Sequence, residues 1–405
     1  MFDEESLANS LNVVSDSDDD ACDSEELASL FTGQFELQAQ TRVSKNNAYI
    51  LHLCGATKLS SRVAVGLSDY SCEVYDVNSV ANVATIFGHG KDLSGLRFSP
   101  KNDNLLYTCS MDGTVKLWDL RTDLTSCKTE FKDGTYGATG APKPLTSFDV
   151  APDDRFVCAG SQLVDGDAFL LFWDARSSKL LGGYWESHSE DVTQVCFHPL
   201  KQTTMATGST DKLINIFDIS ASCEDDALLH TLNTESSVAK ITWLGGEDSL
   251  SCITHTEDVQ LWKTDGERPE VQFSRETVTK CLQRTSVDNC YLIDVHWKET
   301  SGQVMLLAGS LSRKGQCLRS LEVTNEKLKP MCQFLNNKEV VRTSWYLQND
   351  ERVITGGEAG YLNVWKQRQA SNGHENNLPS KSSSMKMPSK FKQHKEFSKP
   401  YRLCS

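Results

Sequence analysis

No stretch of this chain carries the ~20 consecutive apolar residues that a membrane-spanning helix needs, so no spanning segment is expected. The 14 cysteines are dispersed, without a Cys-x-x-Cys pair and without a secretory signal ahead of them, which argues against a disulfide framework and for a reducing compartment. Also missing are a phosphate-cradling loop with a GKS or GKT ending, HExxH, GxSxG and the protein-kinase set. Catalysis is therefore not expected, and neither is a cofactor. The histidines His52, His255 and His296 are scattered and assemble no triad. Cys196 and His198 share a strand face by their spacing, but two ligands fall short of the three or four a zinc site takes, so packing or hydrogen bonding is the better reading. The expected location is nuclear, cytoplasmic or both, neither secreted nor in a membrane.

Charge is present but unevenly placed. The formal net charge is -14, which argues against the whole fold clamping nucleic acid. Residues 1 to 30 hold ten Asp or Glu and no Lys or Arg, whereas residues 366 to 405 hold nine basic residues against two acidic ones. The stretch SDSDDDACDSEE is too acidic and too poor in aromatics to bury a core, so disorder is expected. Ser15 and Ser17 each have an acidic residue three positions later, the context an acidophilic kinase prefers; the alternative is a plain solubilising tail. The basic end spaces Lys among Phe391, Phe397 and Tyr401, so it could contact RNA or a ribosomal particle. It has no dense basic run of five to eight residues, and a solvated tail is the alternative.

Between the tails the chain repeats. SMDGTVKLWDLR (110–121) combines a turn at Asp112-Gly113, a short alternating strand and a Trp-Asp ending. GSTDKLINIFD (208–218), AGSQLVDGDAFLLFWDAR (159–176) and GGEAGYLNVW (356–365) follow the same pattern, with weaker copies at VGLSDYSCEVYD (65–76) and HTEDVQLW (255–262). Their last aromatics are Tyr75, Trp118, Trp173, Phe217, Trp262 and Trp365, at successive gaps of 43, 55, 44, 45 and 103 residues. The last gap is two periods plus an insertion, and VMLLAGSLSRKGQCLRSLEV (304–323) supplies the missing copy, with Ser320 in the aromatic's place. That sixth unit should be the most irregular. The long second gap is assigned to loop insertions at 132–144 and 162–167.

A period of about 40 to 45 residues with a Trp-Asp ending is the signature of WD-repeat β-propeller blades. The resemblance implies a hydrogen-bonded tetrad inside a blade: His89, Thr108, Asp112 and Trp118 match it in the second unit. His188, Thr207 and Asp211 recur in the fourth, where Phe217 lacks an indole N–H and the network must be shorter. Ring closure needs a strand from one terminus, because an open edge leaves backbone groups unpaired; GQFELQAQTRVS (33–44) is the candidate.

FVCAGSQLVDGDAFLLFWDARS (156–177), GGYWESHSEDVTQVCFHP (182–199) and CEDDALL (223–229) resemble the WD repeat-containing protein 89 family more closely than generic WD repeats. That likeness implies a seven-bladed, non-enzymatic scaffold with a link to ribosome assembly. The expected architecture is all-β: a seven-bladed WD40-type β-propeller over residues 33–368, between a disordered acidic tail (1–32) and a disordered basic Ser/Lys-rich tail (369–405). It would act as a monomer within larger complexes, binding other proteins through its faces and rim. The twice-repeated WDxR, ending in Arg121 and Arg176, resembles the adaptor-facing motif of substrate receptors of cullin-4 ubiquitin ligases. The alternative is that each arginine pairs with its own blade's aspartate.

Overall fold

The structure is a computed structural model and describes residues 19–43, 47–56, 61–134, 142–245 and 248–368. A short helix, α1 (Ser24–Leu30), precedes β1 (Gly33–Arg42). Five four-stranded antiparallel sheets follow. The first holds β2 (Ile50–Gly55), β3 (Arg62–Leu67), β4 (Cys72–Asp76) and β5 (Ala81–Ile86), and the second β6 (Leu93–Ser99), β7 (Asn102–Ser110), β8 (Thr114–Asp119) and β9 (Thr129–Lys132). The third holds β10 (Leu145–Val150), β11 (Phe156–Val164), β12 (Asp167–Asp174) and β13 (Leu180–Tyr184). The fourth holds β14 (Val192–Phe197), β15 (Thr204–Ser209), β16 (Leu213–Asp218) and β17 (Leu228–Asn233), with α2 (Glu224–Ala227) before its last strand. The fifth holds β18 (Val238–Trp243), β19 (Ser249–Thr254), β20 (Val259–Lys263) and β21 (Val271–Phe273), and α3 (Arg275–Cys281) follows it.

The remaining strands form one eight-stranded sheet. They are β1 together with β22 (Cys290–Lys298), β23 (Gln303–Ser310), β24 (Leu318–Val323), β25 (Leu328–Phe334), β26 (Val341–Leu347), β27 (Arg352–Gly357) and β28 (Tyr361–Gln367). The strand order is β22-β23-β24-β25-β1-β28-β27-β26. β1 is antiparallel to β28 from Phe35 opposite Gln367 to Arg42 opposite Tyr361. It touches β25 in parallel over only three pairs, Gly33–Phe35 against Cys332–Phe334. The N-terminal strand thus covers the β28 edge, at the place where 33–44 was expected to act.

Strand sequence and burial follow one logic. Apolar side chains alternate with polar ones where one face is wet, and run together where both faces pack; β8, TVKLWD, buries Val115, Leu117 and Trp118. The first strand of each four-strand set packs on the first strand of the next: β2 on β6, then β10, β14, β18, β22 and β26, with β26 returning to β2. Close approach between sets demands small residues. A Cβ on Gly208 would meet Val238 of the next set at 2.5 Å, and one on Gly356 would meet Ile50 at 2.4 Å, across the junction of the chain's last and first sets. The anchors Trp118, Trp173, Phe217, Trp262 and Trp365 are fully buried.

Three expectations are corrected. Residues 19–32 are not disordered: α1 is capped by the Asp23 carboxylate on the amides of Glu25 and Glu26, and Leu27 and Phe31, four apart and so on one face, are buried in the core around β25 and α3. Residues 162–167 are not a loop insertion but a lengthened hairpin, in which Leu163 opposite Ala168 and Val164 opposite Asp167 still pair. The sixth unit is regular, with β22 to β25 running six to nine residues each. Its missing anchor is offset from neighbouring strands, because Phe35 of β1 stacks on Phe334 at 4.5 Å in the core that also holds Cys332, which lies opposite Ser320. The irregularity sits instead in the fifth sheet, whose outer strand is three residues long before α3. Residues 135–141 of the other expected insertion, the serines Ser15 and Ser17, and the basic tail lie outside the described residues.

Candidate functional site

The tetrad positions are set by a turn. In the second sheet Asp112 sits between β7 and β8, where its carboxylate accepts the amides of Gly90 and Thr114. His89 Nδ1 lies 2.9 Å from Asp112 Oδ2 and its Nε2 2.7 Å from Thr108 Oγ1, while Trp118 Nε1 donates to the same hydroxyl at 2.9 Å. The ionised Asp112 carboxylate only accepts, so a neutral imidazole carries its proton on Nδ1, and its bare Nε2 takes the Thr108 hydroxyl proton while that oxygen accepts the indole N–H. Burial alone would raise the Asp112 carboxyl, but hydrogen bonds from His89 and Thr114 hold it well below the usual carboxylate range.

The fourth sheet repeats the arrangement with His188 2.9 Å from Asp211 and 2.7 Å from Thr207. Burial opposes ionisation of Asp211 too, yet His188 and the amides of Leu213 and Ser189 lower its pKa. Where Phe217 offers no N–H, the Asn215 amide donates to Ser187 O at 2.6 Å and lies 3.4 Å from His188 Nε2.

Other units solve the same problem differently. Trp262 donates to Gln260 at 2.8 Å, Trp365 to Thr355 at 2.8 Å, and Trp173 to the carbonyl of Lys132 at 3.2 Å. In the unit ending in Trp365 the polar role passes to Glu339, buried and accepting from the amide of Ala359 and the side chain of Asn363. Burial pushes Glu339 up to about 7, against those hydrogen bonds. Asn363 in turn accepts from Gln40 of β1 at 2.6 Å, so the network reaches the closing strand. Sequence spacing missed Asn215, Gln260 and Asn363, although one signal was there: each lies two residues before its anchor.

Arg121 and Arg176 sit just after the ends of β8 and β12, each largely exposed. The Arg121 fork closes on Asp119, with Nε at 2.8 Å and the outer nitrogen at 2.7 Å, and these bonds hold the Asp119 carboxyl low. Arg176 is looser, its Nε 3.6 Å from Asp174 while its backbone amide donates to that carboxylate at 2.8 Å. His198 Nδ1 accepts the amides of Leu200 and Lys201, and its ring packs edge-on against Trp243 at 4.7 Å, while the carbonyl of Cys196 accepts the Trp243 indole N–H.

The inner strands bring together residues that sequence reading left scattered. Lys240 is 2.6 Å from Asp294, whose other oxygen accepts the Ser344 hydroxyl at 2.8 Å. His296 Nε2 is 2.8 Å from that hydroxyl, in the wall of a cavity of about 870 Å³ that also includes Trp243, Trp297 and Trp345. Ser344 gives its proton to a carboxylate and receives one from the imidazole, the reverse of what activating a nucleophile requires. Burial drives His296 down to about 4, so it is neutral at pH 7.

Among the described residues every cysteine is a free thiol, and no helix is long and apolar enough to cross a membrane. The family model for the WD domain, G-beta repeat, matches residues 81–119 and 179–218, the segments that carry the two His-Thr-Asp networks. The chain carries WD repeats on an all-β propeller fold. The propeller is 25% identical to the WD repeat-containing protein 89 homolog of Dictyostelium discoideum over 80% of this chain and 84% of that relative. It is 30% identical to the WD repeat-containing protein GTS1 of Arabidopsis thaliana over 58% of each chain, and 23% identical to an uncharacterized WD repeat-containing protein of Schizosaccharomyces pombe over 76% of this chain and 93% of the relative.

Proposed function

We propose that the propeller is a non-catalytic scaffold that holds other proteins on its faces and rim. WD-repeat proteins are in general protein-interaction scaffolds, and the likeness to the protein 89 homolog extends along most of the chain. The observation that carries the reading is where the blade polar groups go: imidazole, hydroxyl, carboxylate and indole are spent on one another in the second sheet, imidazole, hydroxyl and carboxylate in the fourth, and the other buried indoles on partners of their own. Such networks hold a rigid frame while the turns vary on its surface. We read the eight-stranded sheet as two blades joined edge to edge by the three-pair β25–β1 contact, which with the five four-stranded sheets makes seven. On this reading the propeller proper runs over 33–368, residues 19–32 belong with it, and tails at 1–18 and 369–405 flank it.

Work in the nucleus or cytoplasm, as a monomer within ribosome-assembly particles and with RNA contact through the basic tail, is the finer part of the proposal. Sedimentation of the full chain beside a chain lacking 369–405 tests it. Co-migration with pre-ribosomal particles that the deletion abolishes supports both parts; unchanged co-migration removes the tail's role, and no co-migration removes the ribosomal one. Ser15 and Ser17 are the proposed phosphorylation sites, checked by phosphopeptide mass spectrometry.

The cullin-4 receptor reading has its own observation, two exposed guanidiniums at equivalent positions of successive sheets. Against it, Arg121 already uses its fork on Asp119. Affinity purification with the intact chain and an Arg121→Ala/Arg176→Ala double variant separates the two. An adaptor captured by the first and lost with the second establishes the receptor; an adaptor absent from both leaves the arginines as blade structure.

A further inference from the structure

We propose that the rim groove between the third and fourth sheets binds an extended segment of a protein partner in which apolar and basic side chains alternate. The proposal rests on the scaffold reading and names one of its docking surfaces.

The groove encloses about 530 Å³, with β13 as one wall and the segment running into α2 as the other. Its floor is aromatic, Tyr184 meeting Phe172 edge-on at 4.8 Å. On the β13 side Leu181 and Trp185 are 51% and 50% exposed, unusual for side chains whose burial is worth so much. β13 is also the last strand of its sheet, so its outer edge has no strand partner, which is the template an added strand uses.

The wall is fixed in place. The Glu224 carboxylate accepts the backbone amides of Trp185, Glu186 and Ser187, which ties α2 to the chain leaving β13. Preorganisation of this kind lowers the ordering cost of binding. The lining carries Glu186, Glu224 and Asp225 and neither Lys nor Arg, and the exposed Asp226 follows on α2. An extended segment turns successive side chains to opposite sides. Apolar residues at every second position would therefore seat on Leu181, Trp185 and Tyr184, while Lys or Arg between them meets the carboxylates. An acidic segment fails the charge requirement, and a helical one the alternation.

The test uses the full chain and a fluorescein-labelled synthetic decapeptide of alternating Val and Lys, beside a copy with Glu for every Lys. Fluorescence anisotropy should show saturable binding of the Lys peptide and at least tenfold weaker binding of the Glu peptide. Trp185→Ser and the charge reversal Asp225→Lys should each weaken the Lys peptide at least tenfold. Phe87→Ser, at a distant exposed apolar residue, should change it less than twofold. Hydrogen exchange should slow in Leu180–Tyr184 and Glu224–Ala227 on binding. Circular dichroism and melting of each variant confirm that it folds, and Leu181→Ser replaces any that does not. Absence of binding, or equal binding by wild type and both groove variants, overturns the groove proposal. Affinity purification from lysate then separates the two readings: the same partners on wild type and Trp185→Ser leave the scaffold standing without the groove, and no partner above empty matrix on either overturns the scaffold as well.

Discussion

Thr108 has no charge and no exposed surface, yet two buried groups depend on it. It accepts the Trp118 indole proton and supplies His89 with its own. Thr108→Val keeps the shape and removes both bonds, so two buried polar groups lose their partner, and a loss of about 2–4 kcal/mol is expected. Urea midpoints of the full chain measure it; Thr108→Ser, which keeps the hydroxyl, should cost less than half as much. The resemblance to WD-repeat blades made this network legible: Thr108, Asp112 and Trp118 lie on one turn and its flanking strands, and His89 in the loop before β6, with bonded members 10 to 23 residues apart. Glu339 was not legible, since it replaces an imidazole with a different chemical group at a different offset. His296 gives a pH test. Its pKa falls from 6.5 in the unfolded chain to about 4 in the fold, through burial and the nearby Lys240, against the pull of Asp294. Between those values the unfolded chain binds the extra proton, so stability is lost as pH drops from about 6.5 through 4, by on the order of 2–3 kcal/mol. Burial shifts His52 in the same direction. Midpoints at pH 7 and pH 5 should converge in His296→Gln relative to wild type, and an unchanged difference would refute the assignment.

At the scale of elements, strands were readable from alternation and turn residues, whereas α1 was hidden by its surroundings. Its seven residues sit in an acidic run whose charge argues for disorder, and the signal against that was the pair Leu27 and Phe31 at helical spacing. The acid itself is partly used: Asp20 lies 3.1 Å from Arg284 and 2.7 Å from Arg319, both nearly buried, and the Arg319 guanidinium stands 5.2 Å from the Phe31 ring centre. Phe31→Ala should therefore cost about 3–4 kcal/mol through the cavity it leaves. Asp20→Ala, which removes hydrogen bonds to two nearly buried guanidiniums from a partly exposed carboxylate, should cost less, about 1–2 kcal/mol. Limited proteolysis should show residues 19–32 cleaved faster in both variants; equal cleavage would mean that the segment is held by neither contact. Packing between strand sets is a second property of elements. Gly208→Ala places a methyl group 2.5 Å from Val238 and 2.8 Å from Ile241, and a loss of about 1–3 kcal/mol by overpacking is expected in the same urea assay.

For the whole molecule the decisive feature is that the sheet holding β22 to β28 is completed by β1, the first strand among the described residues. Closure was foreseeable because repeat arrays leave an open edge, and the alternation of Phe35, Leu37 and Ala39 marked a strand ahead of the first repeat. Its parallel contact with β25 was not foreseeable, because three residue pairs leave no pattern in sequence. β1 holds the β28 edge by a ladder from Phe35 to Arg42, buries Phe35 against Phe334, and joins Gln40 to Asn363. Without it, β28 and β25 would each present unpaired backbone groups and the apolar cluster of Phe334, Trp365 and Val353 would lose its cover. A chain starting at residue 33 keeps β1 and should remain monomeric with a lowered midpoint, since it loses α1 and the buried Phe31 but not the closing strand. A chain starting at residue 44 should elute from size exclusion as oligomers or aggregate, and a synthetic peptide of residues 19–43 added in excess should restore the monomer. If the shorter chain stays monomeric with an unchanged melting temperature, closure is carried by packing of β26 on β2 alone, and β1 is an ornament on a ring that closes without it.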